Sequence, residues 1–229
     1  MKFLIVKGDD FGASRGINRG IMEAHQRGIL TSASLLLNVP GSNEAAALSW
    51  TAPELSVGLH VDLRRPRREL AADSLQGLRT ELREQFVRFR MLIGRGPTHL
   101  DSHHNVHRDP EVLPPFLELA HEHGLALREH SPVRYFPSFY GRWSGETHRE
   151  QISVESLARM LDTEIGEGFT ELSCHPGYHD PDYPTGYSAE RETELRTLCS
   201  PRIREVLAEQ SIQLVSYHDL AKLLVSAAR

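Results

Sequence analysis

Near its start the chain reads FLIVKGDDFG over residues 3–12, an apolar run that ends in two adjacent carboxylates. A short apolar run of this kind predicts a buried strand whose last residues turn outward. In parallel α/β folds, binding and catalytic sites are built at the carboxyl ends of the strands. Asp9 and Asp10 are therefore the first candidates for a functional site.

Two further apolar runs end in side chains that can bind a metal. His60 and Asp62 follow the run at residues 55–59, and the cluster DSHHNVH at residues 101–107 follows the run at residues 98–100. Three such strand ends on one rim would bring one aspartate and two histidines together around a divalent ion. That ligand set leaves coordination positions open for water and substrate, as hydrolytic metal sites require.

Strand-like and helix-like runs alternate along the whole chain, and this alternation indicates the fold class. Apolar residues three and four positions apart predict helices, the clearest of which spans residues 75–93. About seven βα units predict one α/β domain over residues 1–229 with a barrel or barrel-like sheet, and a doubly wound open sheet is the alternative. The predicted strands lie at residues 3–7, 32–37, 56–61, 98–101, 126–128, 171–174 and 213–215.

Two aromatic-rich stretches, residues 131–150 and 176–188, break the alternation and are predicted to be irregular loops. Long irregular loops on a βα rim often cover an active site. Their aromatic side chains suit the apolar faces of sugar rings, so Tyr135 and Tyr178 are candidate substrate-binding residues. Hydrophobic packing of these rings is the alternative explanation.

Composition and charge exclude several classes of protein. With 39% hydrophobic and 25% charged residues the chain can bury a core, and its net charge of −5 argues against a non-specific nucleic-acid surface. No apolar stretch approaches the roughly 20 residues that span a bilayer, and no secretion signal is evident. We therefore expect a cytoplasmic protein with no membrane partner. The basic run Arg64–Arg68 is either a solvated loop or a binding site for an anionic group of a substrate or partner.

The adjacent carboxylates suggest a division of roles. A metal would offset the repulsion between Asp9 and Asp10, with one residue as its ligand and the other as a general base. Alternatively, one of them caps the helix that begins near Ser14. His60 is either a ligand or a rim histidine that only needs a hydrogen-bond partner.

The histidine cluster strengthens the metal hypothesis, because imidazole is the commonest metal-binding side chain. In an extended segment, His103 and His107 would share one face and His104 would point away. Asp101 is a candidate to orient one of these imidazoles from behind. Whether His104 or His107 also contributes to a metal site stays open.

Two further rim residues are candidates. His175, after the sixth predicted strand, is either a general acid that carries a proton near pH 7 or an ordinary turn residue. Arg128, after the fifth, is a candidate substrate-binding residue that either holds a carboxylate, orients a rim aspartate or is a surface arginine that packs its stem.

Five short motifs, in this order over nearly the whole chain, resemble the YdjC-like carbohydrate deacetylases, which include the chitooligosaccharide and hopanoid-associated deacetylases. They are DDFG (9–12), GILTSAS (28–34), VGLH (57–60), THLDSHH (98–104) and SCHPG (173–177). The resemblance implies a distorted TIM-type barrel with its site at the carboxyl-terminal rim. It also implies an enzyme that removes the N-acetyl group of an amino sugar with one divalent metal.

The resemblance also implies roles for individual residues. Asp10, His60 and His103 match the metal ligands, Asp9 matches the general base, and His175 matches the histidine that protonates the leaving amine. The chain departs from the family at Asn105, where a third consecutive histidine is common. It also departs at residues 7–8, where Lys-Gly replaces the usual small or polar residues and implies an altered pocket floor.

Several alternatives stay open at this point. Another metal-dependent hydrolase on the same barrel, such as a phosphoesterase or an amidase, fits the ligand set, and so does a non-catalytic sugar-binding protein. The aspartate and two histidines suit zinc, while the resemblance also allows magnesium. The expected partner is a small amino-sugar substrate rather than nucleic acid, and a homodimer is plausible for a barrel of this kind.

Overall fold

The computed structural model describes residues 1–63, 75–181, 183 and 185–227. The basic run Arg64–Arg68 lies outside these described residues. Within the described ranges the strands are β1 (Lys2–Phe11), β2 (Ser32–Leu36), β3 (Ser56–Val61), β4 (His99–Ser102), β5 (Ala126–Leu127), β6 (Val133–Phe136), β7 (Arg142–Trp143), β8 (Glu146–Thr147), β9 (Gly168–Cys174) and β10 (Ile212–Leu214).

The described helices cover the outside of the sheet. They are α1 (Arg15–Arg27), α2 (Ser42–Thr51), α3 (Leu75–Ile93), α4 (Leu113–His123), α5 (Val154–Thr163), α6 (Ser188–Leu198), α7 (Pro201–Glu209) and α8 (Tyr217–Ala227). Two 3₁₀ segments, His103–Arg108 and Arg149–Ile152, lie on loops between them. Within the described ranges, no helix is both long and apolar enough to cross a bilayer.

The main sheet is parallel and runs in the order β5-β4-β3-β2-β1-β9-β6, with β10 added to the amino-terminal half of β1. It curls into a nearly closed barrel of seven strands, counted over the described residues, whose two ends are β5 and β6. The α/β class and the distorted TIM-type barrel are therefore confirmed. The alternative prediction, an open doubly wound sheet, is wrong.

Strand periodicity explains how β1 builds both an apolar floor and an ionic layer. Alternate residues of a strand share one face, so Phe3, Ile5, Lys7 and Asp9 all follow the same side of β1. Phe3 and Ile5 pack with residues of β6, β9 and α8 in a small apolar cluster. Lys7 and Asp9 are buried above that cluster and begin the polar layer below the carboxyl-terminal rim.

The structure differs from the predictions at one loop and at three helices. Residues 131–150 are not wholly irregular, because they contain the barrel strand β6 and the β7–β8 hairpin. Prolines at positions 132 and 137 flank β6, and such flanking prolines are typical of loops. Helices α2, α6 and α7 were not predicted. Small residues fill α2, and α6 buries the polar residues Glu190, Arg191 and Glu194 on its inner face.

Candidate active site

An open cavity of about 720 Å³ lies at the carboxyl ends of the strands. Parallel pairing aligns these ends: β1 pairs with β9 up to Gly8 and Cys174, and β3 pairs with β4 at His60 and Asp101. The residues that follow these pairs therefore reach one rim. The cavity lining includes Asp9, Asp10, His60, His103, Arg128, Tyr135 and His175.

A bulge in β1 lets both adjacent carboxylates enter the site. Strict alternation would turn Asp9 and Asp10 to opposite faces of the sheet. The β1–β2 register shifts between Gly8 and Phe11, and Asp10 adopts φ 66°, in the left-handed region that non-glycine residues rarely occupy. Such backbone strain is typical of functional positions. Here it turns Asp10 towards the two histidines.

Asp10, His60 and His103 converge at the rim. Asp10 Oδ1 lies 3.5 Å from His60 Nε2 and 3.2 Å from His103 Nδ1, and one potential ligand atom of each residue falls within 4.8 Å of the others. Burial lowers the pKa of His60, which favours the neutral imidazole that binds metals. One carboxylate oxygen and two imidazole nitrogens are a donor set that fits a divalent cation.

The second oxygen of Asp10 is held by an arginine that sequence reasoning missed. Arg191 Nη2 donates to Asp10 Oδ2 at 2.5 Å from the buried face of α6. Burial alone would raise the pKa of Asp10, but the charge of Arg191 together with hydrogen bonds from His103 and His60 holds that pKa well below its usual range. The carboxylate is thus kept ionised, with Oδ1 facing the imidazoles.

Asp101 orients His60 from behind, whereas the sequence suggested this role towards an imidazole of the cluster around His103. Asp101 Oδ1 lies 2.7 Å from His60 Nδ1 inside the barrel. With the proton on Nδ1, the imidazole turns Nε2 and its lone pair towards Asp10 and the rim.

The histidine segment is not extended, so the prediction about its faces is wrong. Residues His103–Arg108 form a 3₁₀ turn in which His104 and Asn105 have positive φ angles. His104 stays at the cleft, with its ring centroid 3.8 Å from that of His103. His107 is buried instead, and its Nδ1 lies 2.6 Å from Ser102 Oγ. The geometry therefore separates His107 from the group at Asp10.

Asp9 lies between two cations. Lys7 Nζ is 2.8 Å from Asp9 Oδ1, and Arg128 Nη2 is 3.0 Å from both carboxylate oxygens. Burial would raise the pKa of Asp9, but the charges of Arg128 and Lys7 lower it below its ordinary value. Asp9 is therefore an ionised carboxylate with a fixed orientation, next to the Asp10 group but engaged by different partners.

Arg128 is not a surface residue, because only 3% of it is exposed. Its Nε donates to Glu171 and its Nη1 to Asn105, in addition to the contact with Asp9. Of the alternatives left open, orientation of a rim aspartate is the one that these contacts match. Asn105, where the family often has histidine, thus contacts the arginine that holds Asp9.

His175 reaches the cleft beside Asp9, with Nε2 4.0 Å from Asp9 Oδ2. Burial lowers its pKa to about 4, so the ring is neutral near pH 7 in this state. The role of general acid at this position stays a prediction. Its Nδ1 is buried without a hydrogen-bond partner among the described residues, and Glu194 Oε1 lies 4.0 Å away.

Glu194 and Tyr187 form a buried support behind His175. Glu194 accepts hydrogen bonds from the backbone N–H of His175 and from the Tyr187 hydroxyl, the latter at 2.6 Å. Burial raises the pKa of Glu194 to about 8, so it is mostly protonated at neutral pH. No periodic pattern marks Glu194, because α6 carries polar residues on both faces.

The two candidate substrate-binding tyrosines lie in different places. Tyr135 lines the cleft, where its ring lies 4.7 Å from the Arg128 guanidinium and its hydroxyl is 3.2 Å from Ser173 Oγ. Tyr178 lies in a separate groove, stacked against Arg19 and donating to Glu23 at 2.5 Å. The structure does not bring Tyr178 to the cleft, which is lined instead by Tyr140, Tyr183 and Tyr187.

A family model described as YdjC-like protein matches residues 3–209 of the chain, most of its length. The chain belongs to the YdjC-like family. A carbohydrate deacetylase from Geobacillus stearothermophilus is 36% identical, with 97% of this chain and 99% of that protein covered. A chitooligosaccharide deacetylase from Serratia marcescens is 35% identical, with 96% and 99% covered.

Solved structures resemble this YdjC-like protein along most of its length. A protein from Enterococcus faecalis V583 to which cellobiose-phosphate cleavage has been ascribed superposes with a TM-score of 0.82 and is 29% identical, with 96% of this chain and 98% of that chain covered. A family 4 carbohydrate esterase from Streptomyces lividans, solved with acetate, has a TM-score of 0.57 at 13% identity, with 93% and 91% covered. The latter likeness concerns the fold alone.

Proposed function

We propose that this YdjC-like protein is a metal-dependent deacetylase that removes the N-acetyl group from an amino sugar and releases acetate. The observation that carries the proposal is the convergence of Asp10, His60 and His103 beside a separately held carboxylate, Asp9. The names of the relatives from Geobacillus stearothermophilus and Serratia marcescens support a carbohydrate substrate.

Asp10, His60 and His103 would hold the metal. A divalent ion bound there would lower the pKa of a water and polarise the acetamide carbonyl. Zinc suits two imidazoles and one carboxylate, and the family resemblance also allows magnesium. The donor atoms need little rearrangement, since each already lies within 4.8 Å of the others.

Asp9 and His175 divide the proton transfers. Asp9, kept ionised by Arg128 and Lys7, accepts a proton from the attacking water. His175 donates a proton from Nε2 to the amine nitrogen as the C–N bond breaks. Because His175 is neutral in the resting state, it must gain that proton during turnover, and Asp9, which takes the proton of the water, lies 4.0 Å from His175 Nε2.

The cleft suits a small carbohydrate. Its volume lies within the range of about 300–1,000 Å³ that is typical of small-molecule sites. Tyr135, Tyr140 and Tyr183 on its walls offer faces for sugar rings. Within this proposal residues 1–229 act as one catalytic domain, while the cytoplasmic location and the homodimer stay predictions.

The test is acetate release from a panel of N-acetylated sugars by purified protein, measured before chelation, after chelation and after metal is restored. We expect activity to disappear with chelator and to return with metal. Asp9→Asn should keep the metal content and lose about 10²–10⁴-fold in kcat, the usual range for general base catalysis. Asp162→Asn, an exposed aspartate on α5, is the matched control.

Two results would contradict the proposal in different ways. Full acetate release by the Asp9→Asn protein would remove Asp9 from the role of base. Bound metal without acetate from any sugar would favour another hydrolase, a phosphoesterase or an amidase, or a sugar-binding role.

A further inference from the structure

A second group of potential ligands lies deeper in the barrel than the group at Asp10. Asp9, His60 and Asp101 are all buried, and one potential ligand atom of each lies within 4.8 Å of the others. Among the described residues, these are the two groups with this geometry, and they share His60. The deeper group contains two carboxylates, so its charge would favour a divalent cation even more strongly.

The two groups approach His60 from opposite sides. Nε2 faces Asp10 at 3.5 Å, whereas Nδ1 faces Asp101 Oδ1 at 2.7 Å. The oxygens of the deeper group that do not face His60 are Oδ2 of Asp101 and both oxygens of Asp9, and Arg128 Nη2 contacts all three. A cation between them would therefore not need to displace the imidazole from the upper group.

Lys7 fills that space. Its Nζ lies 2.8 Å from Asp9 Oδ1 and 3.0 Å from Ser34 Oγ, and it also contacts Asp101 Oδ2 directly. An ammonium has three N–H donors, and these contacts supply three acceptors from the described part of the barrel. None of the Lys7 side chain is exposed to solvent, so water does not compete for these positions.

The charges around Lys7 explain why a cation is needed there. Over the described residues, Asp9, Asp101 and Glu171 lie close to Lys7 and Arg128, so that three carboxylates face two cations. Without Lys7, one guanidinium would face three buried carboxylates. Such a cluster must take up protons or bind another cation.

We propose that the Lys7 ammonium occupies a latent second cation site. It restricts the chain to one divalent ion, at Asp10, His60 and His103, although its donor groups are able to hold two. It also keeps Asp9 out of metal coordination, because Asp9 Oδ1 is engaged by Lys7. The inference rests on the proposed function only for the first ion, since the second site is defined by Lys7, Asp9 and Asp101.

The experiment counts zinc in metal-stripped and reconstituted protein by calorimetry and elemental analysis. Lys7→Met keeps a long unbranched side chain and removes the charge. Lys2→Met is the matched control, because it makes the same substitution at the amino end of the same strand. We expect Lys7→Met to bind one more equivalent of zinc than the wild type and Lys2→Met to bind the same number. Adding Asp101→Asn to Lys7→Met should abolish the additional equivalent.

The outcomes separate this inference from the proposed function. A wild-type protein that binds no zinc would contradict the site at Asp10 but not the inference, which is measured as a difference between variants. A folded Lys7→Met protein with the wild-type count would overturn the inference. A Lys7→Met protein that stays unfolded at every zinc concentration would also overturn it, because the divalent ion would then be unable to replace the ammonium.

Discussion

Arg128 Nη2 donates to both carboxylate oxygens of Asp9 at 3.0 Å, although the two residues are 119 positions apart in the chain. The other guanidinium nitrogens donate to Glu171 and Asn105, so the group is held on three sides. A planar guanidinium has five N–H donors in fixed directions, so it can hold Asp9 in one orientation more rigidly than the ammonium of a lysine can. The orientation of the proposed base thus depends on a residue that approaches from the far end of the sheet.

Arg128→Lys should lower kcat by about 10²-fold with little change in KM, because a misplaced base slows the chemical step without removing substrate contacts. The free energy of unfolding should fall by up to about 3–5 kcal/mol, since buried carboxylates lose hydrogen bonds. Steady-state kinetics and thermal unfolding measure the two effects. Arg83→Lys, at an exposed pair with Glu122, is the control. An unchanged kcat would show that the contact from Arg128 Nη2 does not position Asp9.

Asp101→Asn should weaken metal binding by about 10–100-fold, which is the usual effect of removing the partner of a metal-binding histidine. The neutral amide is a weaker hydrogen-bond acceptor for His60 Nδ1–H than the carboxylate, so it makes Nε2 less basic and a weaker metal ligand. Competition with a chelator measures the affinity. Wild-type affinity in the Asp101→Asn protein would mean that His60 needs no carboxylate behind it, or is not a ligand.

Glu194→Gln should change how stability depends on pH. The pKa of Glu194 is raised to about 8 by burial, so the folded chain keeps a proton that the unfolded chain releases above its ordinary pKa of 4.5. Stability is therefore lost as pH rises from about 4.5 through 8. Glutamine mimics the protonated acid and removes this loss. Between about pH 5 and 9, the melting temperature of the variant should rise relative to that of the wild type as the pH increases. Melting temperatures that change with pH in the same way for both proteins would contradict this.

Tyr135 and Tyr178 should behave differently. Tyr135→Leu removes a ring that faces the cleft and packs on Arg128, and we expect kcat/KM to fall by about tenfold, which is on the order of one cation–π contact. Tyr178→Leu should leave kcat/KM unchanged and lower stability by about 1 kcal/mol, through the lost hydrogen bond to Glu23. A reduced kcat/KM for Tyr178→Leu would mean that substrate extends into the separate groove.

The barrel strands other than β6 followed from local patterns. Parallel strands place their carboxyl ends on one rim, so apolar runs that end in aspartate or histidine predicted one aspartate and two histidines there, and the family resemblance supplied the choice of Asp10, His60 and His103. An orienting role was also expected for Asp101, but only the pairing of β3 with β4 shows that its partner is His60.

The tertiary structure alone decided the partners of these groups and the faces they present. The bulge that admits both Asp9 and Asp10 depends on the register between β1 and β2, which periodicity within one strand does not specify. Arg191 and Glu194 were not predicted because charged residues normally indicate solvent, and the ion pairs of Lys7 were not predicted either. Only the folded barrel shows that each of the three is buried against an opposite charge or a hydrogen-bond partner. The opposite holds for Tyr178. Its aromatic-rich loop suggested a place in the cleft, but the side chain packs against α1 and lies on another surface.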